Sequence, residues 1–175
     1  MPLYQLGSRR PRVHPSAFVA PTATIIGDVE VGEGSSVWFG VVLRGDESSI
    51  RIGARTSIQD NTVVHCSHDL PTVVGDAVTV GHTALLEGCQ VEDRALVGMG
   101  AILLQRSRLG RGAILGAGSV LREGVAIPDG MLAAGTPAQV KRAIDPRSKW
   151  VGDRPTRVYQ ELAAEYQAGL VEIAP

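Results

Sequence analysis

The chain has 175 residues, 44% hydrophobic and 20% charged, which suits one domain with a continuous core. A formal net charge of -1 and an aromatic content of 4% supply neither a basic stripe nor stacking platforms, which argues against nucleic acid as a partner. No run is apolar and long enough to span a bilayer, and Cys66 and Cys89 lack a CxxC spacing, so the expectation is a reduced cytoplasmic protein without a membrane partner.

Residues 1–12, MPLYQLGSRRPR, form an irregular start. Aliphatic residues then recur at every sixth position: Val13, Val19, Ile25, Val31, Val37 and Leu43. After a skip the rhythm resumes with Ile52, Ile58 and Val64, and after another with Val74, Val80 and Leu86. From Val91 it runs through Val97, Leu103, Leu109, Leu115, Leu121 and Ile127 to Ala133, completing twenty hexads. The position two before each aliphatic is small almost throughout, as at Ala23, Thr56, Thr62, Ala84, Ala101 and Ser119. Glycine follows the aliphatic at Gly32, Gly53, Gly75, Gly81, Gly98, Gly110 and Gly116, where a corner is expected to need a permissive backbone.

A two-residue alternation inside each hexad, with a turn at its end, predicts a short strand and a corner, repeated. A chain turning the same way at each hexad closes a triangle every third one. The prediction is therefore an all-β fold, a three-sided parallel solenoid of between six and seven coils over residues 1–133. Residues 134–175 are expected to belong to the same domain as a connecting segment without regular structure and a C-terminal α-helix. That helix has Asp153 as N-cap, Pro155 in the first turn and Gly169 as its stop. Its stripe of Val158, Tyr159, Leu162, Tyr166 and Leu170 is expected to pack on the solenoid's flank.

Every third hexad lies above its predecessor, so Arg44, His65 and Glu87 stack in one column. Gln59 and His82 stack in a second, at the adjacent corner. One face separates the columns, roughly 15 Å for about five residues rising ~3.3 Å each. Metal bonds are only ~2.0 to 2.2 Å long, so His82 cannot reach a metal shared with His65 and Glu87 in the same chain. Three prisms around a threefold axis bring one corner of each against another corner of its neighbour. Two imidazoles and a carboxylate then leave an open position for water on zinc or iron.

The segments WFGVVLRGD, IGARTSIQDNTVVH, VTVGHTALLEGC, VGMGAILL and AAGTPAQVKR resemble the γ-class carbonic anhydrase-like family of hexapeptide-repeat proteins, in order and spacing, over nearly the whole chain. The resemblance implies a left-handed parallel β-helix, a homotrimer with a divalent metal between subunits (zinc first, iron or cobalt as alternatives), and CO2 and bicarbonate as small-molecule substrates. It makes His65 a ligand from one subunit and His82 a ligand from the next. Gln59 and Asp60 stand beside the bound water, Arg44 pairs with Asp46 across the interface, and Glu47 occupies a position where some members carry an acid. The family's GHxxxxHGC reads GHTALLEGC here, so Glu87 replaces the third histidine ligand. Glu87 either ligates, making the metal a weaker Lewis acid, or leaves the metal poorly held. CSHDLP, after His65, lacks an acid-rich shuttle loop, and His68 is the local candidate for proton transfer.

Two other functions stay open from the sequence. An acyl-CoA-dependent acyltransferase uses the same repeat with a histidine base, commonly with a longer excursion loop than the interruptions of three and four residues here. A non-catalytic trimeric binding protein is the reading that Glu87 favours.

Overall fold

A computed structural model describes residues 2–145, 147–148 and 154–173. The chain winds into an all-β parallel solenoid of about seven turns with one C-terminal helix. The first face stacks the leading halves of Thr24–Val31 and Val42–Ile52 on Val63–His65, Leu85–Glu87, Ile102–Leu103 and Val120–Leu121. Arg12–Val13 and the trailing halves of the two long strands begin the second face, followed by Thr72–Val74, Gln90–Val91, Arg108–Leu109 and Ala126–Ile127. The third face runs from Phe18–Val19 through Ser36–Val37, Ser57–Ile58, Thr79–Val80, Leu96–Val97 and Ile114–Leu115 to Met131–Gly135.

The hexad aliphatics fill the prism as ladders. Ile25, Leu43, Val64, Leu86, Leu103 and Leu121 stack in register and are fully buried. Burying each stabilises the fold by about 1.5–3 kcal/mol. The small residues two positions earlier, Ala23, Thr62, Ala84, Ala101 and Ser119, are buried with them.

The corner glycines have a different cause from the one expected. Gly32, Gly53, Gly75, Gly98 and Gly110 are absent from the positive-φ residues, and the left-handed conformation falls later in the turn, as at Arg55, Ala77 and Thr83. What excludes a side chain is the next coil. A Cβ on Gly53 would lie 2.5 Å from the Gly75 carbonyl carbon, and one on Gly98 would lie 2.4 Å from the Ala117 nitrogen.

The outer surfaces differ in chemistry. The second face presents Arg12, Glu30, Arg51, Gln90 and Arg108, cross-linked by Arg12–Glu30, Arg51–Glu30 and Arg108–Glu92 ion pairs. The early coils of the third face are covered by the helix Arg154–Gly169. Tyr159, Leu162, Ala163 and Tyr166 pack there against Phe18, Ala20 and Trp38, with Tyr166 edge-on to Trp38 at 5.2 Å. Val158 and Leu170, expected in that stripe, are 48% and 46% exposed. The first face presents a bare aliphatic ladder of Val42, Val63, Leu85, Ile102 and Val120.

The segment after Ala133 is more regular than its prolines suggested. Met131–Gly135 and Ala138–Ala143 pair antiparallel and extend the third face by one strand. The helix ends at Gly169, as expected; its expected cap, Asp153, lies outside the described residues.

Candidate metal centre

The first face carries a histidine at each edge. At its trailing edge, Arg44 pairs with His65 and His65 with Glu87 in the strand register, so the predicted column exists. Glycine dominates other corners, but here successive coils carry Ile26, Arg44, His65, Glu87, Leu104 and Arg122. The His65 Nδ1 lies 4.0 Å from Glu87 Oε1. Glu87 is anchored from the next coil by Gln105 Nε2, which donates to its Oε1 at 3.1 Å.

The three-residue skip after Leu43 brings Asp46 to the same ring. Val42–Ile52 continues around the corner as one strand, paired to Thr24–Val31 with a register shift between Gly27 and Val29. Gly27, at a φ of 78°, abuts Gly45, whose oxygen would lie 2.1 Å from any Cβ there; only glycine permits the approach. Asp46 Oδ1 then stands 3.0 Å from His65 Nε2, and Arg44 Nη1 donates to Asp46 Oδ2 at 2.5 Å. Partial burial pushes the Asp46 carboxyl up, but the hydrogen bonds from Arg44 and His65 outweigh it and hold the group below the usual carboxylate range. In the single chain Arg44 and Asp46 pair with each other.

At the leading edge, His82 Nδ1 lies 2.9 Å from Asp60 Oδ2. Asp60 is thus the residue beside His82, while Gln59 stacks toward Gly81, its N–H donating to the Val80 carbonyl. The Gln59 side chain is 4% exposed and shares a hydrogen bond with the Tyr159 hydroxyl. Burial first, and the Asp60 carboxylate second, push the Tyr159 pKa up, so its hydroxyl stays protonated at neutral pH. Tyr159 was expected only to pack. The helical stripe hid its second role, because nothing in its spacing shows that a ring at that height reaches the corner.

His68 sits on the tip of a tight turn closed by Ser67 and Leu70, paired with Asp69 at 2.9 Å and 85% exposed. It is not brought into contact with His65 or Glu87. Glu47 is exposed beside Asp46. Among the described residues, the donor atoms grouped within 4.8 Å are those of Asp46, His65 and Cys66. Cys66 is fully buried and its Sγ accepts the Ser48 N–H, so it belongs to the core. His82 is not in the group.

Imidazole nitrogens with carboxylates at hand are a borderline donor set that suits zinc and other late divalent metals. Asp60 on His82 Nδ1 is the outer partner a metal-bound imidazole needs: it fixes the tautomer and leaves Nε2 for the ion. The residues fit the group.

No protein-family model matches the chain. It is 42% identical over 166 residues to a carbonic anhydrase of Geobacillus kaustophilus, covering 95% of this chain and 91% of the relative. It is 46% identical over 148 residues to the mitochondrial gamma carbonic anhydrase 2 of Arabidopsis thaliana, covering 81% of this chain but only 53% of that longer relative. The crystal structure of a Bacillus cereus protein described as an acetyltransferase superposes with a TM-score of 0.92 at 40% identity, covering 95% of this chain and 96% of that one.

Proposed function

The chain belongs to the γ-class carbonic anhydrase family, and on that premise we propose that it is a cytoplasmic lyase that hydrates CO2 to bicarbonate, using a divalent metal, zinc first, held between the copies of a homotrimer. One observation carries the reading: the two imidazoles flank the one face that is neither charged nor covered by the helix. Val63 and Leu85, between them, are 38% and 37% exposed in the isolated chain. Three copies packed through this face around a threefold axis bury that ladder and set the His65 edge of each against the His82 edge of the next. A face bearing both edges of a site closes a ring with its own neighbours. Among the described residues no helix is long and apolar enough to cross a membrane.

His65, His82 of the neighbouring copy and a carboxylate hold the metal; Glu87 occupies the aligned position of the third ligand. Bound there, the metal would lower the pKa of its water and so supply hydroxide, less strongly with a carboxylate ligand than with a third imidazole. The chain's own residues do the rest. Asp60 keeps His82 in one tautomer. Gln59, pinned by Tyr159, offers a fixed amide dipole to the substrate oxygens, at no reorganisation cost. Arg44, with one nitrogen on Asp46, keeps the rest of its fork for bicarbonate. His68, out on its turn, passes the released proton to bulk solvent.

Stopped-flow CO2 hydration on purified protein, before and after chelation, tests this. Activity that chelation abolishes and zinc restores supports the proposal; a zinc-loaded trimer no faster than buffer contradicts it. A second reading rests on a groove of about 860 Å³ on the third face, running from Gln59 and His82 along Leu96 and Ile114 to Arg142. An apolar trough ending at a histidine and an arginine suits an acyl-CoA. Acetyl-CoA binding by calorimetry, together with absent CO2 hydration, would favour that reading.

A further inference from the structure

Two carboxylates stand beside His65, and they face opposite ring nitrogens. Asp46 Oδ1 is 3.0 Å from Nε2, and Glu87 Oε1 is 4.0 Å from Nδ1. The lone pairs of the two nitrogens diverge from the ring, so an ion on one is out of reach of a carboxylate seated at the other. Only one of the two acids can share a metal with His65.

His82 shows which nitrogen the fold offers. Its Nδ1 is occupied by Asp60 at 2.9 Å, so its Nε2 is the nitrogen left for an ion. If His65 also binds through Nε2, Glu87 lies on the outer, Nδ1 side that Asp60 occupies at His82, though at 4.0 Å and without a hydrogen bond, and the ion takes the place of the proton now shared between Nε2 and Asp46. Resting on the metal centre proposed above, we infer that Asp46 is the carboxylate ligand and that Glu87 is a positioning residue that orients His65 without touching the metal. The attachments of the two acids agree. Glu87 is tied down by Gln105 and faces the ring from the next coil. Asp46 is held by Arg44 through Oδ2 only, so Oδ1 is the oxygen presented to Nε2. Two donors ~2.1 Å from one tetrahedral ion stand roughly 3.4 Å apart. The 3.0 Å between Asp46 and His65 has to open by only a few tenths of an ångström.

Zinc titration calorimetry and elemental analysis of the intact protein, Asp46→Asn and Glu87→Gln test the assignment, with oligomeric mass measured alongside. Glu87→Gln is expected to keep about one zinc per chain with affinity weakened by about 10–100-fold, the usual effect of losing an outer partner. Asp46→Asn is expected to lose more than that. A zinc-loaded crystal of the unaltered protein decides independently of how either variant assembles. Asp46 Oδ1 within about 2.0–2.2 Å of zinc, on the Nε2 side, is the expected result. Zinc on Nδ1 with Glu87 bound overturns this inference and leaves the metal centre standing; a trimer that takes up no zinc at all overturns both.

Discussion

Two inactive variants rescue each other if the site is shared between copies. His65→Ala removes the imidazole from the trailing edge of the first face, and His82→Ala removes the other from the leading edge. Neither ring is part of the core, their side chains being 17% and 44% exposed, so both variants fold. The bond from Thr72 Oγ1 to the His65 carbonyl, which pins the strand end, survives the alanine substitution. Each homotrimer alone lacks one imidazole at every site. In trimers assembled at random from an equal mixture, a contact is complete when the copy giving its trailing edge carries His82→Ala and the next copy carries His65→Ala. Each condition is met half the time, so about one quarter of sites are restored. Co-expression with two affinity tags selects the mixed trimers, each with one complete site in three, so stopped-flow assay and metal analysis should return about one third of the activity and metal of the unaltered trimer, against about one quarter for the unselected mixture. A site completed within one chain gives the opposite result, since no copy in the mixture holds both imidazoles. A mixture at background, with mixed trimers present, would refute the reasoning.

Tyr159→Phe frees Gln59 from its only helix-borne anchor among the described contacts and costs about 1 kcal/mol, or roughly five-fold in the hydration rate. Metal content stays unchanged; a variant that loses metal places Tyr159 in a structural role instead. Gly53→Ala drives a Cβ to 2.5 Å from the Gly75 carbonyl carbon. A loss of about 1–3 kcal/mol follows, with about 2–4 °C in Tm for each kcal/mol, read by calorimetry; an unchanged Tm would mean the coils do not stack this closely. Burial pushes the Cys89 thiol up from 9.0 to about 12. Folding thus favours the neutral thiol, and the stability it contributes is present below pH 9 and lost as pH rises toward 12. Cys89→Ala should flatten that alkaline limb of a denaturation series; the same slope in both proteins would contradict the assignment.

The hexad rhythm made the solenoid legible because a three-sided prism imposes one inward aliphatic per side, and Ile25 to Leu121 obey it without exception. The Arg44–His65–Glu87 column was legible for the same reason: counting hexads is counting height. Four features escaped. The corner glycines were assigned to backbone conformation, whereas the distance to the next coil forbids their side chains. The strand Ala138–Ala143 was hidden because its antiparallel pairing breaks the six-residue phase. The outward ladder Val42–Val63–Leu85–Ile102–Val120 was present in the sequence one position before the first-face aliphatics from Leu43 onward, but it shows only when outward residues are sorted by face. The seating of Asp46 against His65 Nε2 was not legible, because it depends on how a three-residue insertion bends round a corner at Gly27 and Gly45.

Metal content measured with oligomeric mass, on the unaltered protein and on Leu85→Lys, tests the central claim most directly. Leu85 lies mid-ladder, and a lysine there puts a charge into the proposed contact while leaving the inward Leu86 beneath it untouched. The account predicts a trimer holding about one metal per chain for the unaltered protein, and a folded, metal-free monomer for the variant. A metal-free trimer, or a monomer that keeps its full metal, would contradict it.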